Sequence, residues 1–411
     1  MKSKRKNNTF SLKNLWNVQF LNFSNYHLKI LTTAVFVVGL GYVIAEVLLM
    51  GIPDGSKLTS LNLFSYNQPS LINPERPWLS QHFTQLWIGL ALLCMIVRFA
   101  VILSSYFLSL KKYDNQMVVS NTYTYSISFV ISMLSGLAFV SLLTLLLHSL
   151  GFKITEGLSI FELGAHQLSA WIDMHIPTVL HINNYWLALL MGIMLAGLPT
   201  YFIHWLSHVS RFCWLVFHRS HHCPEYLHPI ASPPAFSFEF FLIIPKTIVV
   251  AGVAKLFYAE PLIMELSLWF LAGYCLEIFN HSIVHYDFAA NNIIVRNLCR
   301  LYGDKGVYHL VHHSSFQQDQ NINFSGSPLN IWDRIFGTYR KPYEVAPPIG
   351  LTDNPTIYMN PFRIIFSGIA QLWYELKMNT SWLTRFKIIF GGVYYMPPKT
   401  KDFLKMASVS E

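Results

Sequence analysis

Apolar residues run along this chain in long unbroken stretches, without the alternation of a half-buried strand or the single stripe of a surface helix. Windows near 29–51, 84–110, 123–150 and 184–203 each hold about 20 or more mostly apolar residues, enough at about 1.5 Å per residue to cross about 30 Å of hydrocarbon. The pattern predicts four spanning helices. Two further runs, 240–257 and 261–280, are separated by Ala259-Glu260-Pro261, and Pro245 with Lys246 interrupts the first. They predict a tight helical hairpin, spanning or re-entrant. Segment 361–395 mixes apolar residues with Arg363, Glu375, Lys377, Arg385 and Lys387, and reads equally as an amphipathic interfacial helix or a packed surface helix.

Composition turns this pattern into a class. Of 411 residues, 53% are hydrophobic and 12% charged, against about 25% charged in a soluble domain, so the chain reads as an integral membrane protein. The net charge of +8 sits largely in flanks of apolar runs, where it orients helices and attracts anionic headgroups, so nucleic acid is not an expected partner. Lys2, Lys4, Arg5, Lys6 and Lys13 precede the first helix and Lys111 and Lys112 follow the second, which predicts that both ends are cytoplasmic. The loops 52–83 and 151–183 hold few basic residues and suit the opposite side. The opening MKSKRKNNTFSLK lacks a small-residue cleavage site before its apolar run, so an uncleaved membrane helix is expected. Five scattered cysteines and no CxxC pair argue against a disulfide framework.

The chemistry lies in the histidines. Eleven of the 17 fall within 204–313, and ten of those form four clusters: HWLSH at 204–208, HRSHH at 218–222, HSIVH at 281–285 and HLVHH at 309–313. On a helix, positions i, i+3 and i+4 share a face, so each cluster is expected to aim its imidazoles at a common point. One HxxxH pair is weak evidence, because such pairs are common on amphipathic helices. Four clusters at predicted membrane exits on one side are not. A single zinc takes about four ligands, so ten imidazoles predict a dinuclear transition-metal centre with His204, His208, His218, His221, His222, His281, His285, His309, His312 and His313 as candidate ligands. Carboxylates near such imidazoles can fix the ring tautomer; the candidates are Glu225, Glu277, Asp287, Asp304, Asp319 and Asp333. An ExxH pair, Glu225 and His228, lacks the companion glutamates of a soluble di-iron bundle, which leaves His228 a supporting or loop role. His27, His82, His148, His166, His175 and His181 are isolated and read as structural or interfacial.

These residues resemble the sterol desaturase and fatty acid hydroxylase superfamily of membrane non-haem di-iron enzymes. The resemblance covers about 190–345. It rests on the HxxxH of His204 and His208, the HxxHH of His218, His221 and His222, His281 at a helix end, and the final HxxHH of His309, His312 and His313. NFSG at 323–326 and WDRIFGTY at 332–339 match elements that follow the last cluster in that superfamily, and FKIIFGGVYYMPP at 387–398 is similar to the tail of the branch containing alkylglycerol monooxygenase-like and bacterial sterol desaturase-like proteins. Many relatives carry a single histidine in the third cluster, so His285 departs from their pattern. The resemblance implies two non-haem iron ions (Fe2+/Fe3+), O2 as co-substrate, and hydroxylation or desaturation of a sterol, fatty acyl chain or ether lipid.

The expected fold is all-α: a polytopic transmembrane helical bundle with a cytoplasmic helical cap carrying the dinuclear site. Three regions are expected: N-terminal transmembrane helices and loops at 1–183, a hydroxylase-like domain at 184–345 and an amphipathic or interfacial tail at 346–411. No haem-binding signature, iron–sulfur cysteine set or nucleotide loop is evident. Electrons are therefore expected from a separate donor, a reductase, ferredoxin or cytochrome b5-like protein, at a bacterial inner membrane or the endoplasmic reticulum. The competing reading is a histidine-rich membrane protein that binds or transports a metal, but transport sites favour the bilayer midplane and these clusters sit at helix exits. A zinc hydrolase would need HExxH or a nucleophile elbow, and the chain has neither.

Overall fold

The computed structural model describes residues 77–114, 175–229, 252–258, 263–303, 305–351 and 360–398, with further helical positions between 117 and 131. The predicted span at 29–51, most of that at 123–150, the basic N-terminus, most of the loops 52–83 and 151–183, most of the run 240–257, and Asp304 lie outside the described residues. What is described is helical, and no strand occurs among the described residues.

The long helices are α1 (Pro77–Lys112) and α2 (Tyr185–Val209). Next come α3 (Arg211–Cys213), a π turn at Trp214–His218, and α4 (Arg219–His222). They are followed by α5 (Ile263–Glu277), two 3₁₀ turns at Ile278–His281 and Ile283–His285, α6 (Tyr286–Asn291), α7 (Ile293–Leu301), α8 (Val307–His312), α9 (Ile331–Ile335), α10 (Pro361–Met378) and α11 (Trp382–Phe390). Among the described residues, two helices are long and apolar enough to cross a membrane, Gly89–Lys112 within α1 and all of α2. They coincide with the predicted windows 84–110 and 184–203. The second arm of the predicted hairpin, 261–280, is α5 with the turn after it.

Local sequence explains where the helices begin. Pro77 opens α1, where a missing N–H costs nothing. The Asn184 side chain caps α2 by accepting from the Leu187 N–H at 3.0 Å, and Asn360 accepts from Phe362 and Arg363 ahead of Pro361 in α10. Pro199 sits inside α2, where it cannot donate to the carbonyl one turn back.

Helices α1 and α5 pack in parallel. Arg98 donates to the Tyr274 carbonyl at 3.0 Å, Ser105 meets Ser282 at 2.6 Å, and Cys94 is disulfide-bonded to Cys275 with Cα atoms 4.8 Å apart. That bond departs from the sequence expectation. The two cysteines are 181 residues apart, and only the packing of the two helices brings them together. Below this contact Val101, Ile102 and Tyr106 of α1 join Ile278, Tyr286, Tyr308 and Val311 in the largest buried cluster. One end of α1, the end of α2 and the end of α5 thus converge on the histidine-bearing segments.

In the C-terminal helices one face of 361–395 is packed against the histidine-bearing segments and the other is exposed. Arg211 and Glu375, with side chains 3% and 0% exposed, pair at 2.7 Å. Arg211 also donates to the Tyr395 carbonyl at 2.9 Å, and Gln371 donates to Glu375 at 3.0 Å. Arg219 reaches Gln371 at 3.3 Å, so α10 is fastened to the π turn region and its HRSHH sequence. Polar residues face inward, while Trp373, Trp382 and Phe390 stand at least 70% exposed.

Removing one member of a buried pair strands the other charge. Glu375→Ala is therefore expected to cost about 3–5 kcal/mol of stability, read as a lowered thermal midpoint of the detergent-solubilised protein. An unchanged midpoint would show that the pair contributes nothing net.

Candidate metal centre

Eight of the ten candidate histidines gather into two buried groups. His204, His208, His218 and His312 form one, and His221, His281, His309 and His313 the other, with the ligand atoms of each group within 4.8 Å of one another. Each group could hold a metal ion. His222 lies between the two: its Nε2 is 3.0 Å from that of His218 in the first group, and its ring stacks on His313 of the second at 4.2 Å between centroids.

The HxxxH pair behaves as its spacing predicts, since His204 and His208 share a group. The HxxHH clusters do not aim at one point. At about 100° per residue, i+4 lies about 40° to one side of i and i+3 about 60° to the other. So His218 with His222, and His309 with His313, stay together, while His221 and His312 turn toward the opposite group. Each HxxHH straddles both sites. The π turn, a feature with no signature in the spacing, ends on His218.

His285 is not brought to either group. Its Nδ1 lies 2.7 Å from Ser282 Oγ and 3.3 Å from Ser105 Oγ, and its Nε2 is 3.4 Å from Ser104 Oγ. The 3₁₀ turn between the two histidines of HSIVH breaks the helical register that would have aligned them. His228 is fully buried and held by the Ile102 carbonyl of α1, edge-on to Tyr106. His175 and His181 are exposed.

Nitrogens about 2.0–2.1 Å from one metal stand about 3.0–3.4 Å apart along the edges of an octahedron or tetrahedron. In the second group His313 Nε2 lies 3.0 Å from His309 Nε2 and 3.1 Å from His221 Nε2, which are themselves 3.3 Å apart. Hydrogen bonds cannot satisfy such a triangle. Each nitrogen offers either one N–H or one lone pair, so at least one of three mutual contacts pairs like with like. A cation facing three lone pairs removes the conflict. The Nε2 atoms of His208, His281 and His312 are buried with no hydrogen-bond partner among the described residues, an arrangement that is costly unless something else occupies those lone pairs.

Electrostatics keep the lone pairs free. Burial, reinforced by neighbouring imidazoles, holds His218, His222, His309 and His313 well below the ordinary histidine range. Burial lowers His281 to about 3 and His312 to about 4. Neutral imidazole is the ligating form.

Backbone carbonyls set the tautomers. His312 Nδ1 donates to the Ile322 carbonyl at 2.6 Å and His204 Nδ1 to the Phe324 carbonyl at 3.3 Å. A carbonyl only accepts, so both rings carry their proton on Nδ1 and present Nε2. Asn323, at φ 52°, turns the chain between these carbonyls, a left-handed conformation that asparagine tolerates. The Phe324 ring fills the space against His204, His208 and His312 at 5.2–5.6 Å. Two close approaches hold the frame: Gly306, at φ 55°, receives the Asn280 side chain on its N–H just before α8, and a Cβ at Gly197 of α2 would collide with Ser327.

Of the candidate carboxylates, Glu277 pairs with Lys305 at 3.0 Å, Asp287 with Lys112 at 3.1 Å and Asp319 with Arg340 at 3.3 Å, while Glu225 is exposed. Asp333 supports the loop beneath the site, accepting from the Phe324 and Ser325 amides at 2.8 and 2.9 Å.

Two outcomes follow. His222→Ala is expected to lower the metal content of purified protein and His285→Ala to leave it unchanged, as counted by elemental analysis; equal losses would place His285 in the site. His228, lowered by burial from 6.5 to about 3, takes up a proton on unfolding anywhere between those limits, so its contribution to stability is present above pH 6.5 and lost as pH falls toward 3. In acid-unfolding curves His228→Gln is expected to make that limb shallower by about one proton.

Comparison with known proteins agrees with this geometry. The Fatty acid hydroxylase family model matches residues 189–338. Human (Homo sapiens) alkylglycerol monooxygenase is 28% identical over 118 residues, which is 28% of this chain and 26% of that protein's length. No solved structure matches the chain. The segment that holds both histidine groups is thus the one similar to the fatty acid hydroxylase family, in agreement with the resemblance its motifs carry, and the chain spans about a quarter of the length of that relative.

Proposed function

We propose that the protein is a membrane-bound, O2-dependent oxidoreductase that holds two non-haem irons and hydroxylates or desaturates a lipid. The observation that carries this reading is the pair of adjacent buried histidine groups inside the segment matched by the fatty acid hydroxylase family. His204, His208, His218, His222 and His312 would hold one iron, and His221, His281, His309 and His313 the other. Bound iron would supply the redox chemistry by which dioxygen and two external electrons attack a strong C–H bond.

The chain's own residues do the rest. Burial keeps the imidazoles neutral, and Phe324 excludes water from one side of the first group. Helix α2 buries His204 and His208 yet leaves Phe202, Trp205 and Leu206 between 39% and 46% exposed. A hydrocarbon tail lying along α2 in the bilayer therefore comes within a helical turn of the ligands, which supports a lipid as substrate. The relative's name, alkylglycerol monooxygenase, points the same way, and ether lipids, sterols and fatty acyl chains all fit this apolar approach.

The reading includes a polytopic bundle with the metal site on the cytoplasmic side. Lys111 and Lys112 end α1 at the level where the histidines gather, which supports that orientation. Electrons come from a separate donor, a reductase, ferredoxin or cytochrome b5-like protein.

The test compares lipid extracts, by mass spectrometry, from cells producing the wild-type protein and His312→Ala. A lipid gaining one oxygen atom only with the wild type identifies hydroxylation, and one losing two hydrogens identifies desaturation. Identical lipidomes, together with wild-type protein that holds no iron, would overturn the assignment.

A further inference from the structure

The WDRIFGTY turn lies outside both histidine groups, yet its aspartate is wholly buried and faces no cation in the bonds it makes. Asp333 Oδ2 accepts from the Ser325 N–H at 2.9 Å, and Oδ1 accepts from the Phe324 N–H at 2.8 Å and from Thr338 Oγ1 at 2.7 Å. Burying a carboxylate on neutral donors alone is expensive. Both oxygens act as acceptors, which asparagine or serine could not reproduce, and the groups they hold lead on toward a metal ligand.

The bond connectivity supplies one. The Ser325 N–H and the Phe324 carbonyl belong to the same peptide group. One end of that group is hydrogen-bonded to Asp333 and the other accepts from His204 Nδ1 at 3.3 Å. We propose that Asp333 is a positioning residue that strengthens His204 as a metal ligand through this intervening peptide, in a carboxylate–peptide–imidazole–metal relay. In many metal sites a carboxylate bonds the ligating imidazole directly, fixing its tautomer and enriching its far nitrogen. Here the negative charge on Oδ2 polarises the 324–325 peptide, its carbonyl becomes a stronger acceptor, and Nε2 of His204 becomes a stronger donor to metal. Hydrogen bonds in series reinforce one another in this way.

A parallel arm serves His312. The Ile322 carbonyl that accepts from His312 belongs to the 322–323 peptide, whose N–H donates to the Thr338 carbonyl at 2.9 Å. Thr338 in turn donates its hydroxyl to Asp333 and its own N–H to the Asp333 carbonyl at 2.8 Å. The Thr338 carbonyl, however, shares its peptide with the Tyr339 N–H, which donates to the Asp333 main-chain carbonyl at 3.1 Å, so the carboxylate polarises the path to His204, only braces that to His312, and touches neither path to the other group. The relay rests on the metal-centre reading above and adds to it an asymmetry between the two sites.

The experiment uses the full-length protein in detergent, loaded with Fe2+, and measures chelator competition and the midpoint potential. Asp333→Asn keeps the shape and removes the charge together with one of the two acceptor oxygens. It is expected to release one of two irons about 10–100-fold more readily, to leave the second at wild-type affinity, and to shift the potential positive, because a weaker donor stabilises the oxidised metal less. Thr338→Val removes a hydroxyl that shares the charge, so the potential should move the opposite way. A folded Asp333→Asn with wild-type affinity and potential overturns the relay, as does a Thr338→Val shift in the same direction as Asp333→Asn, the mark of mere loosening. Should Asp333→Asn fail to fold, the sign of the Thr338→Val shift decides alone: negative supports the relay, and zero or positive overturns it. Wild-type protein that binds no metal defeats the centre itself, an outcome distinct from failure of the relay.

Discussion

Imidazoles packed away from water set the constraint on which this architecture depends. Nine of them are crowded together here at ring separations of about 4–6 Å typical of aromatic contact, yet each brings a lone pair that repels its neighbours unless a proton or a cation lies between. Protonation is closed off, because burial holds these rings neutral at ordinary pH. A pair of nitrogens can share one proton, but the triangle of His221, His309 and His313 cannot. Such a cluster is costly as a purely organic core and would become favourable with metal bound, which would couple folding to metal binding.

The helical geometry converts that local constraint into a linked pair of sites. An HxxxH sequence can serve one site only, and His204 with His208 does so. An HxxHH sequence places adjacent histidines about 100° apart around the axis, too far for one small ion and about right for two neighbouring ones. Because the second and fourth clusters each divide between the groups, in opposite senses, α4 and α8 are tied together through both sites. Loosening either helix disturbs both. The buried Arg211–Glu375 pair and the 322–325 loop therefore lie outside the metal centre in sequence but brace it in space.

Much of this was legible in the residues alone, and the parts that were not share a cause. Continuous apolar runs marked α1 and α2, since a helix hydrophobic all round has few places to go but lipid. Four clusters at helical spacing marked nine histidines that the structure gathers. His285 misled because spacing arguments assume an unbroken helix, and the chain changes to 3₁₀ turns there. The division of the HxxHH clusters between two sites was hidden for another reason: i+3 and i+4 fall on opposite sides of i, and treating all three as one face ignores that separation. Segment 361–395 showed its two faces in the sequence but not which one turned inward; the answer lies in Arg211, more than 160 residues away from Glu375. Long-range partners of this kind, like Cys94 and Cys275, leave no trace in local periodicity.

The inverted polarity of the C-terminal helices follows from the same logic. A soluble protein would turn Trp373, Trp382 and Phe390 inward and leave Arg363, Gln371 and Glu375 to water. Here the polar side chains are buried and the aromatic ones stand out. Burying charge is tolerable because Glu375 finds Arg211 at 2.7 Å, and exposing tryptophan is tolerable where the surroundings are themselves partly apolar, as at the boundary between headgroups and acyl chains. The short antiparallel bridge between Ser210 and Gly392 sets this aromatic surface beside the end of α2, whose own Trp205 and Leu206 are exposed. The histidine groups are thus framed on that side by apolar side chains.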